Sequence, residues 1–348
     1  MKRHIVAVVL LAAVAGCEAP SDLIAVPPIS CTTGSIAAQG SSAQTDAVNT
    51  WIKNYQVGCR GATISYASVG SGTGVRSFLA GTGAFAGSDS PLAAADQTKA
   101  EARCGGPAIH LPMVVGPIAL AYNVAGVDDL RLSPATVAGI FGGRITGWNA
   151  PEIRRDNPGV TLPATPIRAV HRSDNSGTTD NFTKFLVGAA VGGWQFGSGP
   201  RWVAPGGIGA EGSNRVVAAI ERLDGAVGYI EGSYAGVHNL PAARVGNAAG
   251  EFPALSDEAA ARTVAGARIT GTGGDLQLGI DYQVAGAGAY PLVLVTYEVV
   301  CRTGTPALAK RFLGYASSRD GQAAAGRLGY APLPEGLRAR VAAAVASL

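Results

Sequence analysis

The sequence predicts an α/β protein with a parallel sheet, built as two lobes joined by two crossings. Two observations carry that prediction. Short β-branched and apolar runs alternate with helical patterns through the first 90 residues, the signature of parallel strands linked by helices. Two long apolar runs, IHLPMVVGPIALAYN (109–123) and AYPLVLVTYEVV (289–300), bracket the middle of the chain. A pair of such strands crossing out of one lobe and back makes that lobe discontinuous in sequence.

The elements follow in order. SIAAQG reads as a strand. Beyond Gly40-Ser41-Ser42, the residues Ala47, Val48, Trp51, Ile52 and Tyr55 recur near a 3.6 spacing and predict a helix. ATISYASVG is a second strand and SGTGVRSFLAG opens a second helix, with Ser71 near its N-terminus. AFAGSDSPL is a strand ending in a polar turn. The 109–123 run is broken by Pro112, Gly116 and Pro117. LSPATVAGIFGG is helical through Ile140 and turns at Gly142-Gly143. PIRAVHR is a strand, NFTKFLVGAA a helix, and Pro306 to Leu348 alternates helices with the turn GYAPLP.

Composition narrows the function. The 348 residues are 47% hydrophobic, enough for a large core or two lobes. The formal charge is +3, with Lys2 and Arg3 at the extreme N-terminus, so a chain-wide attraction to nucleic acid or an anionic membrane is not expected. Those two cations, the apolar run Ile5 to Val14 and Val14-Ala15-Gly16-Cys17 read as a secretory leader, residues 1–16, of the bacterial lipoprotein kind. Ten apolar residues are too few for a bilayer of about 30 Å. On this reading Cys17 carries the lipid anchor and residues 17–31 form a tether. Four further cysteines, Cys31, Cys59, Cys104 and Cys301, suggest two disulfides in an exported chain, with three pairings open. Neither their spacing nor that of the four histidines suggests a metal site, and no cofactor motif is present.

Residues 171–182, HRSDNSGTTDNF, concentrate small hydrogen-bonding groups and one fixed cation between a strand and a helix. Helix-start amides lack intrahelical partners and carry partial positive charge. Gly177 permits close backbone approach, Ser176 and Thr178 add hydroxyls, and Arg172 grips two oxygens at once, with Asp174 placed to orient it. The pattern fits a compact tetrahedral anion. A plain helix cap explains 176–178 equally simply. Three more loops end predicted strands in the same way: Ser41-Ser42-Ala43, Ser71-Gly72 and Ser88-Asp89-Ser90. Gly70-Ser71-Gly72-Thr73-Gly74 lacks the Walker lysine and the full dinucleotide fingerprint.

With these blocks in order, the chain resembles the phosphate-binding proteins that feed ATP-driven phosphate uptake. The resemblance covers nearly all of the chain after the tether. It rests on VGSGTGVRSFLAG, GSDSPL, LPMVVGPIALAYN, IFGGRITGWNAPEI, NPGVTLP, VHRSDNSGTTDNFTKFL, LDGAVGYIE and GYAPLP. It implies a two-lobed periplasmic-binding-protein-like fold (type II) with the ligand in the inter-lobe cleft. Lobe I would be residues 32–115 plus 290–348 and lobe II residues 116–289. It implies phosphate-binding positions at Ser42, Ala43 (through its amide), Ser71, Asp89, Arg172, Ser176, Gly177 and Thr178, with Asp174 holding Arg172. Asn175 stands where the family has Gly, and Ala43 replaces a bulkier residue. Asp89, which only accepts hydrogen bonds when ionised, would admit a protonated phosphate and reject sulfate. The antiparallel crossings of that fold would pair Cys104 with Cys301, and Cys31 with Cys59 ahead of adjacent parallel strands. The implied partners are an ABC permease and its ATPase, reached by a monomeric, lipid-anchored receptor outside the cytoplasm. The rival readings are a phosphate sensor, a receptor for a related oxyanion such as arsenate, and a phosphatase. The last needs a base beside Ser71 or Ser176, and His171 is expected to point away across the strand.

Overall fold

The computed structural model describes residues 29–348. The leader, Cys17 and most of the tether lie outside the described residues. Strand β1 (Gly34–Gly40) leads into α1 (Thr45–Gly58), β2 (Ala62–Ser68), α2 (Ser71–Leu79), β3 (Ala86–Ser88) and α3 (Ala94–Cys104). The long strand β4 (Ala108–Asn123) is followed by β5 (Arg131–Leu132), α4 (Pro134–Phe141), α5 (Pro151–Asp156), β6 (Arg168–Arg172) and α6 (Gly177–Ala189). Then come β7 (Ile208–Ala210), α7 (Gly212–Arg222), β8 (Ala226–Glu231), α8 (Gly232–Val237), β9 (Arg244–Val245), α9 (Asp257–Ala265), β10 (Arg268–Ile269) and β11 (Leu278–Gly279). The chain closes with β12 (Val293–Cys301), α10 (Ala307–Ala316), α11 (Arg319–Gly326) and α12 (Glu335–Ala346).

Eight strands form one sheet in the order β2-β1-β3-β12-β4-β8-β6-β7. The parallel strands expected from the first strand–helix series form one end of the sheet, and a second parallel set forms the other. Strand β1 runs parallel to β2 and β3, and β6 runs parallel to β7 and β8. Between those triplets β12 is antiparallel to both β3 and β4, and β4 is antiparallel to β8. The sheet is therefore mixed, because the two crossing strands run in opposite directions.

Strand β4 belongs to both halves. From Ala108 to Pro117 it pairs with β12, and from Ile118 to Asn123 with β8. All but its last residue are buried, as a strand covered on both faces requires. Its prolines sit where the ladder is interrupted. The register shifts between Thr296 and Tyr297, opposite Pro112, and the change of partner follows Pro117. A residue without an N–H is tolerated at such irregular places.

Helix α1 buries Ala47, Val48, Trp51, Ile52 and Tyr55, the five residues whose spacing predicted it. The C-terminal helices α10 and α11 cover that face. Trp51 Nε1 donates to Gly321 O at 2.7 Å, and Tyr330 Oη donates to Ala43 O at 2.9 Å. The end of the chain thus braces the first binding loop.

Two disulfides are present, Cys31–Cys59 and Cys104–Cys301, with Cα separations of 5.2 and 5.3 Å. The first joins the approaches to parallel neighbours β1 and β2. The second ties the far end of the β4–β12 pair and closes a span of 197 residues. Loops of that length restrict the unfolded chain most. Replacing Cys104 and Cys301 together by Ser should lower the unfolding free energy by about 3–5 kcal/mol, read in chemical denaturation, with the ligand-facing loops unaltered.

Candidate functional site: a cleft at the strand ends

The loops that follow β1, β3, β6 and β8 meet over the middle of the sheet, together with the first turns of α2 and α6. Close backbone approach brings the first two together. Gly40 has φ +149°, and a Cβ there would lie 2.1 Å from Gly87 O. Ser41 N–H donates to that same carbonyl at 2.8 Å.

This places Asp89 deep in the structure, 3% exposed. Three hydroxyls from three elements hold its carboxylate. Ser41 Oγ and Thr296 Oγ1 (2.7 Å) donate to Oδ1, and Ser71 Oγ donates to Oδ2 at 3.0 Å. Burial pushes the Asp89 carboxyl up to about 6; the three hydroxyls pull it back and the field of Glu231 adds to the rise. An ionised carboxylate offers about four acceptor positions. Three are filled by protein, so one acceptor remains for a ligand.

Across the cleft, Arg172 ends β6 and is 1% exposed. Its Nε and Nη2 donate to the two oxygens of Asp174 at 2.7 and 2.6 Å. Burial opposes the guanidinium charge, but Asp174 more than offsets that cost and holds Arg172 above its ordinary value. Burial would likewise raise Asp174, yet the guanidinium keeps it below the usual carboxylate range. Arg172 Nη1 reaches Ser213 Oγ at 3.3 Å, and Ser213 Oγ lies 3.1 Å from Ser42 Oγ on the opposite loop.

At the start of α6, Ser176 Oγ accepts from Thr179 N–H at 3.3 Å. The capping role is real, and it leaves the Ser176 hydroxyl proton free to donate. Gly177 packs so tightly that a Cβ would lie 2.4 Å from Asp89 Cβ. Asn181 Nδ2 donates to Asp89 O at 2.6 Å and to Gly177 O at 2.9 Å. Gly72 N–H donates to Asn175 O at 3.3 Å, and Ser90 Oγ donates to Asp180. The two halves of the sheet are in contact through these loops.

The eight residues singled out by resemblance all sit on this cluster of strand ends. Three of their donors are already engaged within the protein: Ala43 N–H donates to Ser41 Oγ at 3.0 Å, the Ser71 hydroxyl is turned to Asp89 and the Thr178 hydroxyl to Glu231. The sequence reading included Ser41 and Asn181 in its polar loops without giving either a role, and it missed Thr296, Ser213 and Glu231. Glu231 ends β8, is 2% exposed, and accepts from Thr178 Oγ1 at 2.7 Å. His171 is turned away, stacked on Trp202 at 4.8 Å between ring centroids, with Nδ1 at Arg172 O.

One network lies behind the first loop. Glu298 Oε2 and Gln44 Oε1 are buried without hydrogen-bond partners among the described residues. Gln44 Nε2 donates to Tyr66 Oη at 3.0 Å, and Tyr66 Oη donates to Ser41 O at 2.9 Å. Burial pushes Glu298 up to about 8, and the neighbouring Gln44 side chain pulls it back. Protonation turns one of these two orphaned acceptors into a donor.

The chain matches the family model described as a PBP superfamily domain over residues 25–320, and it belongs to that superfamily of two-lobed binding proteins. Within it, the chain is 42% identical over 316 residues to phosphate-binding protein PstS2 of Mycobacterium bovis, covering 88% of this chain and 85% of that one. It is 32% identical over 330 residues to phosphate-binding protein PstS of Xylella fastidiosa, covering 92% and 88%. The chain therefore belongs to the phosphate-binding protein family. A solved putative phosphate ABC transporter substrate-binding protein with bound phosphate, from Clostridium perfringens, shares the fold with a TM-score of 0.64 at 16% identity, covering 86% of this chain and all of that one.

Two outcomes test this geometry. Gly177→Ala should hold the halves apart and weaken ligand binding on the order of 10–100-fold, read by titration calorimetry, because the added methyl meets Asp89 across the cleft. Asp89 and Glu298 both have folded values above their unfolded ones, so the native state binds more protons through the window from 3.8 to about 8. Stability is therefore full below that window and falls as pH rises through it. Glu298→Gln, which keeps a donor for Gln44, should flatten the decline and raise Tm at about pH 8 by roughly 3 °C or more in calorimetry.

Proposed function

We propose that this protein is a receptor for inorganic phosphate, held between two lobes and delivered to an ABC permease for uptake. The observation that carries the proposal is the acceptor count at Asp89. A buried carboxylate with one open acceptor position, placed across the cleft from a buried guanidinium, suits an oxyanion that still bears a proton. Sulfate at neutral pH has none, and it would set acceptor against acceptor in a dry site. The names of the relatives support the same ligand.

In this reading Arg172, the Ser176 hydroxyl and the amides of Gly177 and Thr178 donate to the bare oxygens. Ser42 and the first turns at Ala43 and Ser71 close the opposite side, and Asp174 fixes the Arg172 fork. The lobes divide within β4 and ahead of β12, with residues 32–115 and 290–348 on one side and 116–289 on the other. Hinge motion at these crossings opens and closes the cleft, and ligand shifts the population toward closure. The receptor works as a monomer outside the cytoplasm. Cys17 carries its lipid, and the two disulfides accord with an oxidising compartment. It turns over no substrate. Ser176 has its lone pair on a backbone amide and His171 stacks elsewhere, so the hydroxyl lacks the base a nucleophile needs.

Titration calorimetry should show phosphate binding one to one and no heat with sulfate. Arg172→Ala should weaken phosphate at least about 100-fold, since it strands Asp174 and removes a charge-assisted donor. Asp89→Asn should narrow the gap between phosphate and sulfate. Equal affinity of the native protein for the two anions would remove the role given to Asp89.

A further inference from the structure

The segment between α9 and β12 contributes nothing to the cleft described above, yet its hydrogen bonds run to both halves of the molecule. By chain position it belongs with residues 116–289. Its strands β10 and β11 form a small antiparallel sheet of their own. The turn of that hairpin is fastened to the first half. His110 N–H donates to Asp275 Oδ1 at 2.8 Å, with His110 Nδ1 2.9 Å from the same oxygen, and Leu276 N–H donates to His110 O at 3.0 Å. Leu278 N–H donates to Tyr297 Oη at 3.1 Å, and Arg302 Nη1 donates to Gly273 O. His110 and Tyr297 stand on the stretch where β4 pairs with β12. Past β11 the same segment turns to α6. Tyr282 Oη donates to Asn181 Oδ1 at 2.8 Å, and Gln283 Nε2 donates to Gly188 O at 2.6 Å. The Tyr282 ring stands edge-on to Phe185, 6.5 Å between centroids.

Asn181 is where this segment reaches the cleft. It is buried, so its polar atoms need partners within the protein. Chemistry settles its orientation. Asp89 O and Gly177 O are carbonyls and can only accept, so the group facing them is the NH2. The atom facing Tyr282 is then the amide oxygen, and the phenol must donate to it. Burial raises the Tyr282 phenol, so it keeps that proton. One amide thereby joins Asp89 of the first half, Gly177 of the second and the hairpin segment. Asp89 and Asn181 lie on opposite sides of the cleft, so their bond exists only while the halves are together. Among the described residues, five polar contacts hold the hairpin to the first half and two hold its far end to α6. When the halves part, the α6 end is the weaker and gives way first.

We propose that residues 268–283 are a strap anchored on the first half, and that Tyr282 is a positioning residue which, through Asn181, holds Asp89 against α6 and sets how slowly bound phosphate escapes. The strap touches no ligand oxygen. It acts on the lifetime of the closed cleft. A tie made only when the halves are together slows their parting and leaves the encounter with ligand alone.

This inference rests on the phosphate reading, and one experiment separates the two. The mature protein is loaded with radiolabelled phosphate and chased with excess unlabelled phosphate. Association is followed separately by stopped-flow fluorescence. Tyr282→Phe keeps the ring beside Phe185 and removes only the hydroxyl. It should release phosphate about 3–10-fold faster, the effect of one lost hydrogen bond, with the association rate and the ligand-free thermal midpoint unchanged. Release at the native rate overturns the proposal and leaves the receptor reading standing. A slowed association, or a lowered ligand-free midpoint with no faster release, also overturns it, by making Tyr282 a general support of the fold. If Tyr282→Phe fails to fold, Gln283→Ala at the exposed tie decides by the same rates: faster release supports the strap and native release overturns it. A native protein that retains no phosphate removes the receptor reading and this inference with it.

Discussion

The structure turns on one buried carboxylate. Asp89 sits at the tip of a three-residue strand, out of water, in the centre of the sheet. Leaving an ionised carboxylate there unpaired would cost several kcal/mol. The chain answers with hydroxyls rather than with a cation: Ser41 after β1, Ser71 at the head of α2 and Thr296 on β12. Each donor must come from a different element, so satisfying Asp89 fixes how β1, β3, α2 and β12 sit against each other. The Asp89 backbone then receives Asn181 from the other half, and its side chain rests against Gly177. A single electrostatic requirement thereby sets the local packing and the width of the cleft.

Much of this was readable in the sequence, for reasons that differ by element. Helix α1 was legible because five apolar residues keep one period, and the same five are buried. The Cys104–Cys301 pairing followed from the antiparallel crossings that the resemblance implied, since β4 and β12 then end near each other with the two cysteines at that end. The segment between α6 and β12 was mostly illegible. Its strands β9, β10 and β11 have two residues each, too short for any period to show. The parallel order of β1, β2 and β3 was legible from the local alternation of strand and helix, whereas the antiparallel β12 followed only from the crossings that the resemblance implied. Ser176 caps α6 and still keeps a hydroxyl proton to donate, two roles that no sequence pattern separates.

The missed residues share a cause. Thr296 meets Asp89 across 207 positions, and Glu231 meets Thr178 across 53. Neither carries a local motif. Thr296 sits inside an apolar strand where Thr reads as an ordinary β-former. Glu231 ends the block LDGAVGYIE, and there a lone acid looks like a strand terminus meeting solvent. What marks each as functional is burial, and burial of a polar atom appears only when the chain has folded around it.

The balance of charge explains why an anion site is built with so few cations. The guanidinium of Arg172 is already matched by Asp174, so its role is directional: it presents fixed donors with little net field. The remaining attraction comes from hydroxyls and helix-start amides, which are neutral and act only at contact. A site of this kind gains little from a ligand's total charge and much from the positions of its protons.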